Sequence, residues 1–399
     1  MRQHKLVLAA FLLFSTMLAG YGGSAVASQD QTTKPGLQST SLNTHDYNIN
    51  RDEDKKSKVK FKSQISFGDS LSDVGSYAVG TIAALGGGQF TINEPRSKNW
   101  TAVMASQFGL SSPCAAQTGL DGDPALGFSA MPPINHTGCT SYAQGGARVT
   151  GPVGIGNKLT GGDNVALGFL TVPVVQQIQN HLNLHGNKFK DNEIVYVMAG
   201  ANDVFFQLGL LQAAATDPTT AIASVGLAAA ELATAINTQI VGKGAKYVVV
   251  LNIPNIAITP LAATFDAQTR GLVNVMVNTF NSQLKYGVIG NTHVLYVDAY
   301  AESYNQYVNP GAYGLTNVTD TACDLSPNKN PLGSSIICTA NNLTPGVTDT
   351  YMFSDRVHPT PYGYGLIARL VTNDLHHRGW HKHHANGRSG AKKMKTTDD

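Results

Sequence analysis

The stretch KYVVVLNIP at residues 246–254 decides how the rest of the chain is read. Its centre, Tyr247 to Leu251, is apolar without a break. A strand with one face in water alternates apolar and polar residues, whereas a strand covered on both faces is free to be apolar throughout. Three other runs share this character: QISF at 64–67, EIVYVMAG at 193–200 and HVLYVDAY at 293–300. Between them lie longer stretches that read as helices. Residues 218–241 form one, with Asp217 as N-cap, Pro218 in the first turn and Gly244 beyond the end. Residues 262–287 and 361–375 form two more. Strands apolar on both faces and separated by helices predict an α/β chain, a three-layer α/β/α sandwich around a parallel sheet. In such sheets ligands bind beyond the carboxyl ends of the strands.

The two ends of the chain have a different character. Arg2 and Lys5 precede an apolar stretch at 6–19, and SAVAS at 24–28 offers a cleavage point after Ala27. Fourteen residues are too few for a bilayer, which takes about 20 in a helix, so residues 1–27 read as a signal peptide. LAGY at 18–21 has Tyr21 where a lipid-bearing cysteine would stand, which argues against a lipid anchor. Residues 28–60 are polar and without apolar periodicity, a flexible leader. The main domain is expected over 61–376. A basic, His-rich tail follows over 377–399, and HHRGWHKHH at 376–384 reads as a solvated segment.

Hydrophobic residues make up 42% of the 399, charged residues 14%, and the net charge is +2. A large core is therefore available, and no broad basic face exists for a nucleic acid. The four cysteines, Cys114, Cys139, Cys323 and Cys338, include no C-x-x-C pair. An even count in an exported chain favours two disulfides. Of three connectivities, the local one, Cys114–Cys139 and Cys323–Cys338, is preferred because each pair brackets a Gly/Pro/Asn-rich segment. Long segments at 80–100, 111–165 and 302–350 are expected to shape a substrate pocket, since loops of this length are uncommon unless functional or disordered.

Four segments carry candidate chemistry. In SFGDSLSDVGSY at 66–77 a strand ends at Phe67, Gly68 permits a tight turn, and Ser70 falls just past the strand tip. In DRVHPTPYGYGLIA at 355–368, Asp355 and His358 lie three residues apart ahead of a helix. A serine nucleophile needs a base for its proton, and the base needs an acid to hold its tautomer. In MAGANDVF at 198–205, Asn202 follows a strand and has an amide able to donate to an oxyanion. In SYAQGGARV at 141–149, Gly145 offers a backbone N–H. Each segment alone reads more readily as an ordinary turn or loop.

Together, and in this order, the four resemble the GDSL, or SGNH, serine hydrolase family over roughly residues 64–375. The resemblance implies a flavodoxin-like sandwich and an ester hydrolase without metal or cofactor. It assigns Ser70 as nucleophile, His358 as base and Asp355 as the group orienting it. It assigns the oxyanion to the N–H groups of Ser70 and Gly145 and to the Asn202 side chain. Two positions depart from the family pattern: Ser76 stands where Asn is frequent and Tyr364 where a second His is frequent. The sequence has no G-x-S-x-G elbow, no H-E-x-x-H and no P-loop. The expectation is a secreted or periplasmic monomer acting on small-molecule or lipid esters, with transient contact at membrane surfaces. A phospholipase or lipid acyltransferase would use the same site, and a silent binding module on the same fold is the reading from another class.

Overall fold

The computed structural model describes residues 59–95, 97–160 and 167–381. The proposed signal peptide, nearly all of the leader and most of the tail lie outside the described residues. Eight strands occur among the described residues. They are β1 (Ser63–Gly68), β2 (Gln117–Leu120), β3 (Met131–Asn135), β4 (Glu193–Met198), β5 (Tyr247–Leu251), β6 (Val294–Val297), β7 (Asn317–Thr321) and β8 (Tyr351–Phe353). The helices are α1 (Gly80–Ala84), α2 (Trp100–Phe108), α3 (Val174–Leu184) and α4 (Ala201–Gln212), then α5 (Pro218–Ala235), α6 (Ala267–Val288), α7 (Ala299–Val308) and α8 (Pro361–His377).

The four apolar runs pair in parallel in the order β1-β4-β5-β6. Phe67 lies opposite Val197, Val197 opposite Val250, and Val250 opposite Tyr296. Successive side chains point to opposite faces, and both faces are covered. Ile65, Phe67, Val195, Val197, Val248 and Val250 pack in one core with α3, α5 and α6. Ile194, Tyr196, Met198, Val249, Leu251 and Val297 pack in another with α2 and α8. This is the expected three-layer sandwich. Beyond β1, the Ser66 N–H donates to the Thr140 carbonyl at 3.1 Å and the Tyr142 N–H to the Ser66 carbonyl at 2.8 Å. Residues 140–142 thus stand as a rudimentary fifth strand, completing a flavodoxin-like order.

Element ends follow their capping chemistry. Asp217 accepts from the Thr220 N–H, and α5 continues through a wide turn at Ile236–Ile240 to a left-handed Gly244. The helix expected over 262–287 starts later, at Ala267. Asp266 caps it by accepting from the Thr269 N–H, and Ala262–Thr264 is a separate 3₁₀ turn. Apolar residues near both ends of the described chain pack on the body. Val59 joins the second core, and the rings of Phe61 and Trp380 meet Tyr247 at 5.3 Å and 5.1 Å. These apolar residues, set in otherwise polar ends, pack where β5 begins at Tyr247.

Both disulfides are local: Cys114–Cys139 and Cys323–Cys338. The first fastens the β2–β3 hairpin beside the edge segment, where Ser141 donates its N–H to the Cys114 carbonyl at 3.3 Å.

Candidate active site

The site is assembled from loops that leave the carboxyl ends of β1 and β4 and from the loop entering α8. Ser70 Oγ lies 2.8 Å from His358 Nε2. On the other side of the ring, His358 Nδ1 lies 2.8 Å and 2.9 Å from the two carboxylate oxygens of Asp355. With Nδ1–H held by a carboxylate, the lone pair sits on Nε2, facing the serine. Asp355 also accepts the N–H groups of Val357, His358 and Ser335, at 2.9, 2.8 and 2.7 Å. Burial by itself would raise its pKa. The charge of His358 and these hydrogen bonds outweigh burial and hold the carboxyl well below the usual carboxylate range.

Ser70 is aimed by the backbone ahead of it. A Cβ on Gly68 would stand 2.2 Å from the Met198 carbonyl oxygen, so only glycine lets β1 turn against β4. Gln177 of α3 holds the turn from the side. Its amide accepts the Gly68 N–H and donates to the Gly68 carbonyl, both at 2.9 Å. Asp73 ties this turn to the second glycine-containing loop. It accepts the Gly75 and Ser76 N–H groups at 2.8 and 2.7 Å, and that of Gly145 at 2.9 Å. The departing residues serve as braces. Ser76 Oγ donates to the Ala143 carbonyl at 3.1 Å, and the buried Tyr364 hydroxyl to the Phe90 carbonyl at 3.2 Å.

The expected oxyanion donor Gly145 is engaged by Asp73 in this structure. Its N–H is held by a carboxylate, and Phe90 packs over its Cα. The glycine that borders the cavity is Gly146. The bond spans 72 residues of sequence and could not be read from the motif. Asn202 borders the same cavity as Ser70. One amide hydrogen goes to the Ala147 carbonyl at 2.9 Å, leaving the second of its two donors for a ligand. A left-handed Gly200, whose Cβ would meet the Phe280 ring at 2.2 Å, starts α4 and brings Asn202 into place. Asp203 then binds the facing loop through Arg148 Nε at 3.1 Å and the Val149 N–H at 3.0 Å.

Asp69 is a further buried carboxyl beside the nucleophile, and the sequence did not single it out. Burial pushes its pKa up to about 7, against the lowering effects of the Leu71 N–H and the His358 charge. The three long segments all reach the site. Phe90 sets its ring 4.9 Å from that of His358, Ile155 and Gly146 line the cavity, and Ser334 borders it next to Asp355's partner Ser335.

A base, its orienting acid and a serine within hydrogen-bond reach, beside an amide donor, form the constellation of nucleophilic acyl transfer. The sequence model of the GDSL-like lipase/acylhydrolase family matches residues 65–371. The chain belongs to that family, and it is an ester hydrolase. No curated protein matches the chain. Among solved structures it is similar to LAE5, an alpha/beta hydrolase enzyme from the metagenome of Lake Arreo, Spain. That match has 16% identity and a TM-score of 0.37, over 82% of this chain and 98% of that one. A catalytic mutant of Axe2, an acetylxylan esterase from Geobacillus stearothermophilus, matches with 13% identity and a TM-score of 0.36. It covers 79% of this chain and 96% of the other.

Proposed function

We propose that the protein hydrolyses carboxylic esters outside the cytoplasm through an acyl-enzyme on Ser70. The observation that carries this reading is the unbroken chain of contacts from Ser70 Oγ through His358 to Asp355. Ser70 Oγ attacks the ester carbonyl while His358 Nε2 takes its proton. The carbonyl oxygen becomes an oxyanion, which the Asn202 amide stabilises. As the C–O bond breaks, His358 passes the proton to the alkoxide and the alcohol leaves. Water then gives a proton to the same nitrogen as its oxygen bonds to the acyl carbon, the bond from that carbon to Ser70 Oγ breaks, and His358 returns the proton to Oγ, releasing the acid and a free Ser70. The two disulfides support an extracytoplasmic site of action.

Turnover of p-nitrophenyl esters by the wild-type chain and by Ser70→Ala tests the reading. Loss of the nucleophile in a comparable triad costs about 10⁶ in kcat. Ester turnover by the wild type that vanishes in a folded Ser70→Ala supports the assignment. Near-normal turnover in that variant contradicts it.

A further inference from the structure

The edge of the sheet opposite the triad, where its four strands begin, is basic. Residues 59–62, 185–192, 241–246 and 289–293 lead into β1, β4, β5 and β6. Residues 376–381, at the end of α8, join them: Arg378 donates to the Thr292 carbonyl at 2.8 Å, and the Trp380 ring meets Tyr247 at 5.1 Å. Together these segments carry seven lysines and arginines against one acidic residue, Asp191. The net charge of +2 for the whole chain conceals this asymmetry. Lys246 pairs with Asp191 at 2.9 Å and Lys190 with Glu193 at 3.5 Å. Lys60, Lys62, Lys188, Lys243 and Arg378 pair with no described carboxylate. Cations are favoured beside helix C-termini, which accounts for Arg378 after α8. It does not account for Lys60 and Lys62, which lead into a strand.

The same edge exposes apolar side chains where α3 and α6 end. Leu184 is 50% exposed, Tyr286 80% and Ile289 68%. Single exposed apolar residues are ordinary on a protein surface, but these three stand among unpaired cations. Ile289 also lines a groove of about 350 Å³ with Leu295, Tyr296 and Arg378. Lys285 Nζ lies 5.7 Å from the centre of the Tyr296 ring. A guanidinium has five N–H donors, so Arg378 keeps donors for a phosphate oxygen beside its bond to Thr292.

We infer that this amino edge docks the protein on an anionic lipid surface, its cations on headgroup phosphates and Leu184, Tyr286 and Ile289 at the level of the headgroups. A soluble polyanion would engage the cations and leave the apolar residues in water. β4, six residues at about 3.3 Å each, sets the two edges of the sheet roughly 20 Å apart. Docked this way, the protein turns Ser70 to the water, away from the lipid that holds it. Soluble esters then reach the site, a consequence that rests on the ester hydrolysis proposed above.

The test is flotation of the full chain with vesicles of equal parts phosphatidylcholine and phosphatidylglycerol, beside vesicles of phosphatidylcholine alone. Binding is expected to the first only. It should fall between about 0.1 M and about 1 M salt, as the screening length drops from about 10 Å to about 3 Å. Lys60→Gln, Lys62→Gln and Lys188→Gln together should weaken it about a hundredfold, at about fivefold per lysine. Tyr286→Ser with Ile289→Ser should weaken it at least about fivefold. All five side chains are exposed, so both variants should stay folded. No binding, equal binding to both vesicles, or binding that either variant leaves unchanged overturns the lipid surface. Vesicle-bound protein should turn over p-nitrophenyl acetate at the rate of the free protein. Turnover that stops on binding puts the opposite edge on the lipid and overturns the docking. A chain that cleaves no ester, bound or free, overturns the ester reading, while flotation still decides the docking.

Discussion

Ser335 donates its backbone N–H to Asp355 Oδ2 at 2.7 Å from inside the segment that the Cys323–Cys338 disulfide closes. The bridge therefore holds a partner of the residue that orients the base. Asn93 reinforces the same segment, donating its amide to the Ser335 carbonyl at 3.1 Å and to the Cys338 carbonyl at 3.2 Å.

Removing the bridge should cost both stability and rate. Closing a loop of about 15 residues stabilises by about 3 kcal/mol in the chain-entropy model, so Cys323→Ser with Cys338→Ser should lower Tm by roughly 4–5 °C. A hydrogen bond to a charged group contributes about 1.5–3 kcal/mol, and its loosening at Asp355 should lower kcat by about tenfold. Calorimetry and ester kinetics on the double variant check both. An unchanged kcat with a lowered Tm would show that Ser335 keeps its place without the bridge.

Asn202→Ala should lower kcat by about 10² to 10³ with little change in KM, because a bond to the oxyanion forms mainly in the transition state. Steady-state kinetics separate the two effects. A rise in KM alone would make Asn202 a ground-state binding residue. The protein should stay folded, although the Ala147 carbonyl loses its 2.9 Å partner.

His181 predicts a specific acid sensitivity. It is buried on α3, stacked on His185 at 4.4 Å and Phe189 at 4.7 Å, and neither ring nitrogen has a hydrogen-bond partner. Burial, with His185 and Lys190 nearby, lowers its pKa from 6.5 to about 3. Between these values the unfolded chain binds a proton that the native state does not, so stability falls as pH falls. His181→Phe, which suits the aromatic surroundings, removes this contribution. Its stability relative to wild type should rise by up to about 1.4 kcal/mol per pH unit on acidification from 6.5 towards 3. Urea titrations of both proteins at several pH values measure the difference. A difference that does not vary with pH would show that His181 is protonated alike in both states.

Much of the sandwich was legible because both faces of its sheet are covered, so the strands stand out as uninterrupted apolar runs. The α5 ends were legible for a local reason, since Asp217 and Gly244 each act within a few residues. Helix α7 was hidden: Ala299–Val308 starts directly after β6, and its tyrosines extend the look of a strand. The triad could be read because Asp355 and His358 share one loop and Ser70 sits at a strand tip. Its supports could not. Gln177 meets Gly68 across 109 residues, and Ser335 meets Asp355 from another loop. The bond from the Gly145 N–H to Asp73 was hidden in the same way, because the contact exists only once both loops are folded.

The central claim is that Ser70 is the acylated residue. The most direct measurement is peptide mapping by mass spectrometry after treatment with a fluorophosphonate, which phosphonylates an activated serine. One adduct per chain is predicted, on the peptide carrying Ser70, with labelling abolished in His358→Ala. An adduct on a different serine, or ester turnover that continues in a chain fully labelled at Ser70, would contradict the account.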